Sequence, residues 1–360
     1  MSKHYIIPIF VPHFGCPHDC VFCNQKKITG LSTNVTREYV LETIEAHLKT
    51  FKEPNIIEVA FYGGSFTAID LPTQELLLSV AFDYKKRGMI NKIRLSTRPD
   101  AISEEILSLL KKYQVDIIEL GVQSLDDKVL LLSERGHSIE DVYYASKLIR
   151  DWGFSLGLQM MLGLPGDDET KSLETARKII SIKPDLMRIY PTLVIKNTHL
   201  ERMYQNGEYT PISIEDSVRI SGKILMKCTL EGINVIRIGL QPTENIQMGK
   251  DVIAGPFHPS FRQLVETWII DEILKEFFNS EKDRLTNSSL IIQTSNRLLS
   301  AIVGQKGSNK DKIIKDYKLK SFKIYGNNYM KDIIIVSING EEVEIELVKS
   351  IKNYLLNNPL

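Results

Sequence analysis

The chain has 360 residues, with 45 basic and 45 acidic side chains, seven histidines and four cysteines. A formal net charge of zero leaves no whole-protein field to draw it to nucleic acid or an anionic membrane, so any such binding must be local. The length suits a large α/β barrel with a smaller appendage, and the longest apolar runs, Ser155 to Leu164 and Asp332 to Ile338, fall well short of the roughly 20 residues that span a bilayer.

A cytoplasmic protein with no membrane partner is therefore expected. The start, Ile6 to Phe14 before Gly15-Cys16, is a poor export signal. Pro8 and Pro12 interrupt the apolar run, and only Lys3 and His4 precede it. Outside an oxidising compartment, three closely spaced cysteines serve metal binding or catalysis more often than disulfides. Cys228 lies in a helical pattern, Ile214 to Glu231, and reads as a small buried apolar residue.

From residue 5 to about residue 193, short β-rich runs alternate with longer helical patterns. Strands are expected at Tyr5 to Val11, Ile57 to Tyr62, Lys92 to Ser96, Ile117 to Val122, Ser155 to Met160 and Leu186 to Leu193. Between them lie helices near Arg37 to Phe51, Thr73 to Arg87, Ser103 to Tyr113, Ile139 to Trp152 and Glu169 to Ile182. Ser103 can cap its helix, with Glu104 and Glu105 at the positive end of the dipole, while Gly88 and Gly153 follow helix ends. The alternation indicates parallel βαβ units. Periodicity alone does not separate a partial barrel from a doubly wound sheet, but both gather ligands at the carboxyl ends of the strands.

The chemistry-bearing motifs fall at those ends. After the first strand, GCPHDCVFCNQ spaces Cys16, Cys20 and Cys23 as C-x-x-x-C-x-x-C. Iron-sulfur clusters use cysteine thiolates, usually four, so a set of three suggests one iron open to another ligand. A structural zinc site completed by His13 or His18 is the competing reading. After the second strand comes Phe61-Tyr62-Gly63-Gly64-Ser65-Phe66-Thr67, whose glycines let backbone approach a ligand closely. LSTRPD closes the third strand, ELGVQS the fourth, and QMMLGLPG the fifth.

The cysteine spacing, with Phe22 before the last cysteine, resembles the radical S-adenosylmethionine (SAM) superfamily, as does the Gly-Gly-Ser sequence. The resemblance implies a partial (βα)6 TIM-like barrel. It also implies a 4Fe-4S cluster on Cys16, Cys20 and Cys23, and SAM cleaved reductively to a 5′-deoxyadenosyl radical by electrons from a donor such as flavodoxin or ferredoxin. It further implies a SAM pocket drawn from Gly63, Gly64, Ser65, Ser96, Arg98, Glu119, Gln123, Arg135 and Gln159, with Arg135 in the RGH sequence contacting SAM or shaping its pocket. Some relatives carry aspartate where Gln159 stands, so a charge is lost there.

STRPD, ELGVQS, RGH, QMMLGLPG, Arg188 to Ile195, Gly207-Glu208-Tyr209 and Gly255 to Pro259 resemble the Elongator catalytic subunit and its short bacterial relatives over roughly residues 5 to 270. That likeness implies modification of the wobble uridine of tRNA. The chain departs from it in cysteine spacing and in having too few residues after 270 for the separate acetyltransferase domain. The anaerobic coproporphyrinogen oxidase family shares the cysteine spacing but continues to a further cysteine, where this chain has Gln25.

The resemblance and the element pattern together divide the chain into a core barrel over residues 1–240, an extension over 241–287 and a small α+β domain over 288–360. From about Ser288 the last piece reads strand, helix, loop, helix, strand, strand, helix, with Val336 to Gly340 ending the last hairpin strand before a helix through Ile351 to Leu355. Its loop, Gly304-Gln305-Lys306-Gly307, has the G-x-x-G form that clamps single-stranded nucleic acid in KH domains, and an ordinary glycine turn on a solvated helix fits equally. Lysines 306, 310, 312, 315, 318, 320 and 323 outnumber Asp311 and Asp316 there, making Gly304, Gln305, Lys306, Gly307 and Lys310 candidate RNA contacts.

Overall fold

A computed structural model of the chain describes residues 4–11, 16, 20–24, 35–51, 56–243, 245–304, 307–328 and 330–360. They form two compact units, one from Met1–Ser213 with Val235–Phe257, the other from Ile214–Asn234 with His258–Leu360.

The first unit begins β1 (His4–Phe10), α1 (Arg37–Leu48), β2 (Ile56–Tyr62), α2 (Leu71–Lys86), β3 (Lys92–Thr97), α3 (Glu104–Lys112) and β4 (Ile117–Gln123). It continues α4 (Asp127–Leu132), α5 (Ile139–Asp151), β5 (Ser155–Leu162), α6 (Glu169–Ile182), β6 (Leu186–Pro191), β7 (Val194–Ile195) and α7 (His199–Gln205). After α8 (Ile214–Leu230), which belongs to the second unit, come β8 (Asn234–Ile238) and β9 (Val252–Ala254). The main sheet runs β1-β2-β3-β4-β5-β6-β8, a curled, parallel half-barrel of seven strands. Because spatial order follows chain order without reversing, the doubly wound alternative is excluded.

The six expected strands and five expected helices are present, with boundaries within a few residues. The seventh strand, β8, is an addition to the sequence reading. Asn234-Val235-Ile236-Arg237-Ile238 begins two residues after Gly232, which sits at a φ of 70° and turns the chain out of the preceding helix.

Local chemistry explains where the helices start. Thr36, Asp70, Ser103, Asp126, Ser138, Asp168 and Thr198 each accept a backbone N–H from the first turn of the helix they precede. Such a cap is worth about 1 kcal/mol. Ser138 and Asp141 form a reciprocal capping box at α5, the helix that follows the RGH sequence. Strands β2 and β4 are buried along nearly their whole length, as expected where helices cover one face of a parallel sheet and packed side chains the other.

The second unit packs α8 with α9 (Phe261–Ser280), α10 (Lys282–Leu285), β10 (Ser289–Ser295), α11 (Asn296–Val303), α12 (Ser308–Asp316), β11 (Ser321–Asn327), β12 (Ile333–Ile338), β13 (Glu341–Glu346) and α13 (Leu347–Asn357). Its sheet runs β11-β10-β12-β13, with β10 parallel to β11 and antiparallel to β12. One correction concerns the hairpin. Asn339-Gly340 does not end the last strand; it is the turn between β12 and β13, with φ of 52° and 95°. Positive φ at both central residues is the condition for a type I′ turn, which Asn-Gly meets with least strain.

Gly304 ends α11 at a φ of 74° and Gly307 precedes α12 at 84°, while Gln305 and Lys306 lie outside the described residues. Lys312 is ion-paired to Asp271 at 2.9 Å, which subtracts it from the free basic surface. Lysines 315, 318, 320 and 323 are exposed. No helix among the described residues is long and apolar enough to cross a membrane.

Gly222 in α8 makes a discriminating test. A Cβ there would lie 2.2 Å from a ring carbon of Trp268 in α9, so the glycine admits the indole. Helix propensity alone predicts that Gly222→Ala stabilises by about 1 kcal/mol. Overpacking costs typically 1–3 kcal/mol and should win. A lower denaturation midpoint is expected for this variant, and a higher one would contradict the packing.

Candidate active site

The strand ends of the first unit enclose a cavity of about 670 Å³. Cys16, Cys20 and Cys23 all line it, as do all nine residues expected to form the SAM pocket: Gly63, Gly64, Ser65, Ser96, Arg98, Glu119, Gln123, Arg135 and Gln159. Gly304, Gly307 and Lys310 belong to the second unit.

The cysteine loop is tied to the strand ends at several points. The Val21 N–H donates to the Ser133 carbonyl at the end of α4 (3.2 Å), and the Val21 carbonyl accepts from Leu200 N–H (2.7 Å). The Val21 side chain is buried with Val194, Leu200 and Tyr209, and Phe22 packs against them. Cys23 N–H donates to the Cys20 carbonyl at 2.9 Å, which turns the chain tightly between these two thiols. The Cys16 thiol lies 3.8 Å from the Ser65 hydroxyl, so the first cysteine touches the Gly-Gly-Ser sequence. Arg135 Nη1 lies 3.3 Å from Cys20 Sγ. His13 and His18, which the zinc reading required, lie outside the described residues. Among the described residues no three Cys, His, Asp or Glu side chains are gathered closely enough to hold a single ion.

Two devices shape the wall opposite. Gly63, at the end of β2, has a φ of 98°, a backbone state that side chains resist and that brings its peptide to the cavity. The turn after it is held by Gln74, whose buried amide donates to the carbonyls of Thr67 and Ile69. At the end of β4 the register shifts between Gly121 and Gln123, a bulge, and Gln123 takes a φ of 67°. The bulge aims Gln123 along the sheet, where its Oε1 accepts from Gln159 Nε2 at 3.2 Å. Strained non-glycine backbone of this kind persists only where the surroundings enforce it, and it concentrates at functional sites.

Beneath the cavity runs a network of buried charge. Arg94 on β3 donates to Glu58 on β2 (2.6 Å) and to Glu119 on β4 (2.7 Å); Arg188 on β6 grips both oxygens of Glu119. Arg188 also donates to the hydroxyls of Tyr62 (2.9 Å) and Tyr190 (3.2 Å). Burial works to raise the Glu119 pKa, but the attraction of Arg188 and then Arg94 outweighs it and holds the carboxyl below the ordinary carboxylate range. Burial, then the Glu119 charge, pushes the Tyr62 phenol up to about 12, so it stays a neutral hydroxyl. Glu119 thus faces the cavity with both oxygens already committed to arginine.

Sequence reasoning missed Glu58, Arg94 and Tyr62 as site residues, and it placed Arg188 only within the wider likeness. A signal existed: charged residues inside apolar strands buried on both faces are rare unless paired. Gly157 on β5 is part of the same design, because a Cβ there would meet Glu119 Cγ at 2.7 Å.

A second cluster of cations surrounds His137. Burial, then repulsion from Arg135 and Arg98, pushes its pKa down to about 3, so the imidazole is neutral, and neither ring nitrogen has a hydrogen-bond partner among the described residues. Arg98 is held by Asp100 through two bonds of 2.9 Å, while its Nη1 and Arg135 Nε are buried with no partner among the described residues. Arg98 and Arg135 both line the cavity and give that part of its wall positive charge. Cys16, Cys20 and Cys23 line the same cavity, and thiols are the ligand type of iron-sulfur centres.

Comparison with known proteins shows the family and the fold. Residues 10–179 match the model of the Radical SAM superfamily and residues 184–270 that of the Radical SAM C-terminal domain. A Methanocaldococcus jannaschii protein named tRNA uridine(34) acetyltransferase is 29% identical over 60% of this chain and 47% of its own length. An uncharacterized protein of the same organism is 31% identical over 58% of this chain and 67% of its own length. The structure of a Methanocaldococcus infernus Elp3 superposes with a TM-score of 0.63 at 22% identity, covering 76% of this chain and 64% of that one, which shows a common fold. The chain spans about half the length of the curated tRNA uridine(34) acetyltransferases it matches.

The central ion network yields a prediction. Removing one member of a buried pair leaves its partner uncompensated, at about 3–5 kcal/mol. Glu119→Gln should therefore lower the unfolding free energy at neutral pH by about 3–5 kcal/mol, read from denaturant melts. Because the folded-state pKa of Glu119 is depressed, its contribution is present above the unfolded carboxylate pKa and is lost as pH falls through the folded value. The gap between wild type and variant should accordingly narrow in acid; equal stabilities at pH 7 would contradict the network's role.

Proposed function

The chain belongs to the radical SAM superfamily, and from that premise we propose that it is an enzyme that cleaves SAM at a 4Fe-4S cluster to modify a uridine of tRNA. The observation that carries the proposal is the meeting, at one cavity, of three cysteines with the polar ends of four neighbouring strands, β2 to β5.

In this reading Cys16, Cys20 and Cys23 hold the cluster. When bound, it supplies the electron that splits SAM into methionine and a 5′-deoxyadenosyl radical able to take a hydrogen atom from the substrate. The peptide of Gly63-Gly64-Ser65, which lines the cavity, accepts the SAM amino group. Arg98 and Arg135, which line the cavity, supply positive charge for its carboxylate. Gln123, Gln159 and Ser96 serve the ribose, with neutral glutamine at Gln159 replacing the aspartate of some relatives. Glu119 acts through Arg188, which it clamps against Tyr62 and Tyr190 on the cavity floor. Phe22, Met161, Leu193, Ile195 and Leu240 supply apolar wall that keeps water from a reactive radical.

A tRNA substrate is supported by relatives named tRNA uridine(34) acetyltransferase, which align over about 60% of this chain. It is supported also by the second unit, whose exposed lysines and paired helix-end glycines suit an RNA backbone. Flavodoxin or ferredoxin is the class of electron donor this chemistry needs.

Anaerobically purified protein should be brown, contain iron and sulfide, and release 5′-deoxyadenosine from SAM with a chemical reductant. Cys20→Ala should lose colour and cleavage together, since the cluster needs each thiolate. tRNA from cells lacking the gene should lack one modified uridine by mass analysis. A colourless zinc protein inert toward SAM would overturn the cofactor reading, and an unchanged tRNA profile would overturn the RNA reading alone.

A further inference from the structure

Arg135 occupies an unusual position for a residue of a ligand pocket. One end of its guanidinium, Nη2, donates to the Gly121 carbonyl at 2.5 Å, and the other, Nη1, lies 3.3 Å from Cys20 Sγ. The contact joins residues 115 apart in the chain. It is not a loose surface encounter, because Arg135 and Cys20 are 8% and 7% exposed.

The backbone fixes this approach from both sides. Arg135 N–H is bound to the Leu130 carbonyl at 3.0 Å, which closes α4, and two residues earlier the Ser133 carbonyl receives Val21 N–H, next to Cys20. The arginine and the cysteine are therefore registered through the same turn. Gly121 completes the arrangement. A Cβ there would stand 2.8 Å from Arg135 Nη2 and 3.0 Å from Gln123 Nε2, so only glycine leaves the guanidinium its seat on β4. Cys16, by contrast, meets the neutral hydroxyl of Ser65.

We propose that Arg135 is a positioning residue for the cluster: it holds the Cys20 sulfur by a charge-assisted hydrogen bond and so raises the cluster's reduction potential. The inference rests on the reading of Cys16, Cys20 and Cys23 as cluster ligands and goes beyond it by assigning one ligand a dedicated cation. Reduction adds an electron whose charge spreads onto the ligating sulfurs, and a cationic donor at one of them favours the reduced form. The chemistry requires a strongly reducing cluster that a cellular donor can still charge. Arg135 sets that balance from outside the metal, as hydrogen bonds to ligating sulfurs do generally.

The test is an EPR-monitored redox titration of anaerobically reconstituted holoprotein without SAM, for wild type, Arg135→Leu, Arg135→Lys and Gly121→Ala. Arg135→Leu should shift the midpoint to more negative potential at unchanged iron content. Gly121→Ala, which keeps the guanidinium but takes its seat, should shift it in the same direction. Arg135→Lys, which keeps charge without the two-pronged fork, should fall between. Identical midpoints at equal iron loading in all four proteins would overturn the inference while leaving the ligand reading intact. Should Arg135→Leu fail to fold, the other two variants decide. A wild-type protein that binds no cluster would remove the ligand reading, and this inference with it.

Discussion

The first unit is organised around a carboxylate that two arginines hold from opposite sides. Glu119 stands on the central strand of the half-barrel, and through Arg94 and Arg188 it links four strands, β2, β3, β4 and β6, across the floor of the cavity. Two buried carboxylates and two guanidiniums balance in charge. Their desolvation is tolerable only because nearly every lone pair and proton finds a partner. Such a network is a poor source of stability compared with apolar packing of the same volume, so its value lies in what it fixes. It orients Arg188 and Tyr62 at the base of the cavity, and Tyr62 is the residue from which Gly63 and Gly64 depart.

From this floor the site rises through elements that each restrict one degree of freedom. The β4 bulge re-aims Gln123; Gln74 stiffens the turn beyond Gly64; the Asp126 cap and the Leu130 to Arg135 bond settle α4. The cysteine loop then docks against the ends of α4 and α7 through the backbone of Val21, with the Val21 and Phe22 side chains packed beside it. A loop bearing thiols is thus held to helix ends by backbone hydrogen bonds, and its three cysteines line the cavity. Helix caps and strand ends are local features, which is why motif and architecture coincide so closely here.

That coincidence explains what could be read from the sequence. Strand positions followed from apolar runs bounded by caps, and every residue expected in the pocket lines one cavity because strand ends of a parallel sheet necessarily face the same way. Glu119, however, was expected to face SAM, and the fold gives both its oxygens to arginines 25 and 69 residues away. No local pattern encodes such pairings. Strand β8 escaped notice because it follows a helix of the other unit, outside the βα rhythm. The final hairpin was misjudged because Asn339-Gly340 signals a turn as strongly as it signals a strand's end, and only the run of glutamates after it, alternating with Val343 and Ile345, distinguishes the two.

The account makes one structural demand above all: a cluster on Cys16, Cys20 and Cys23 and a SAM molecule reaching from it across Gly63-Gly64-Ser65 must occupy the same cavity. An anaerobic crystal structure of reconstituted protein with SAM, phased on the iron anomalous signal, measures this directly. The account predicts an iron peak enclosed by the three sulfurs, with SAM density running from it toward Gln123 and Gln159. A zinc ion closed off by four protein ligands, or SAM bound away from the strand ends, would contradict it.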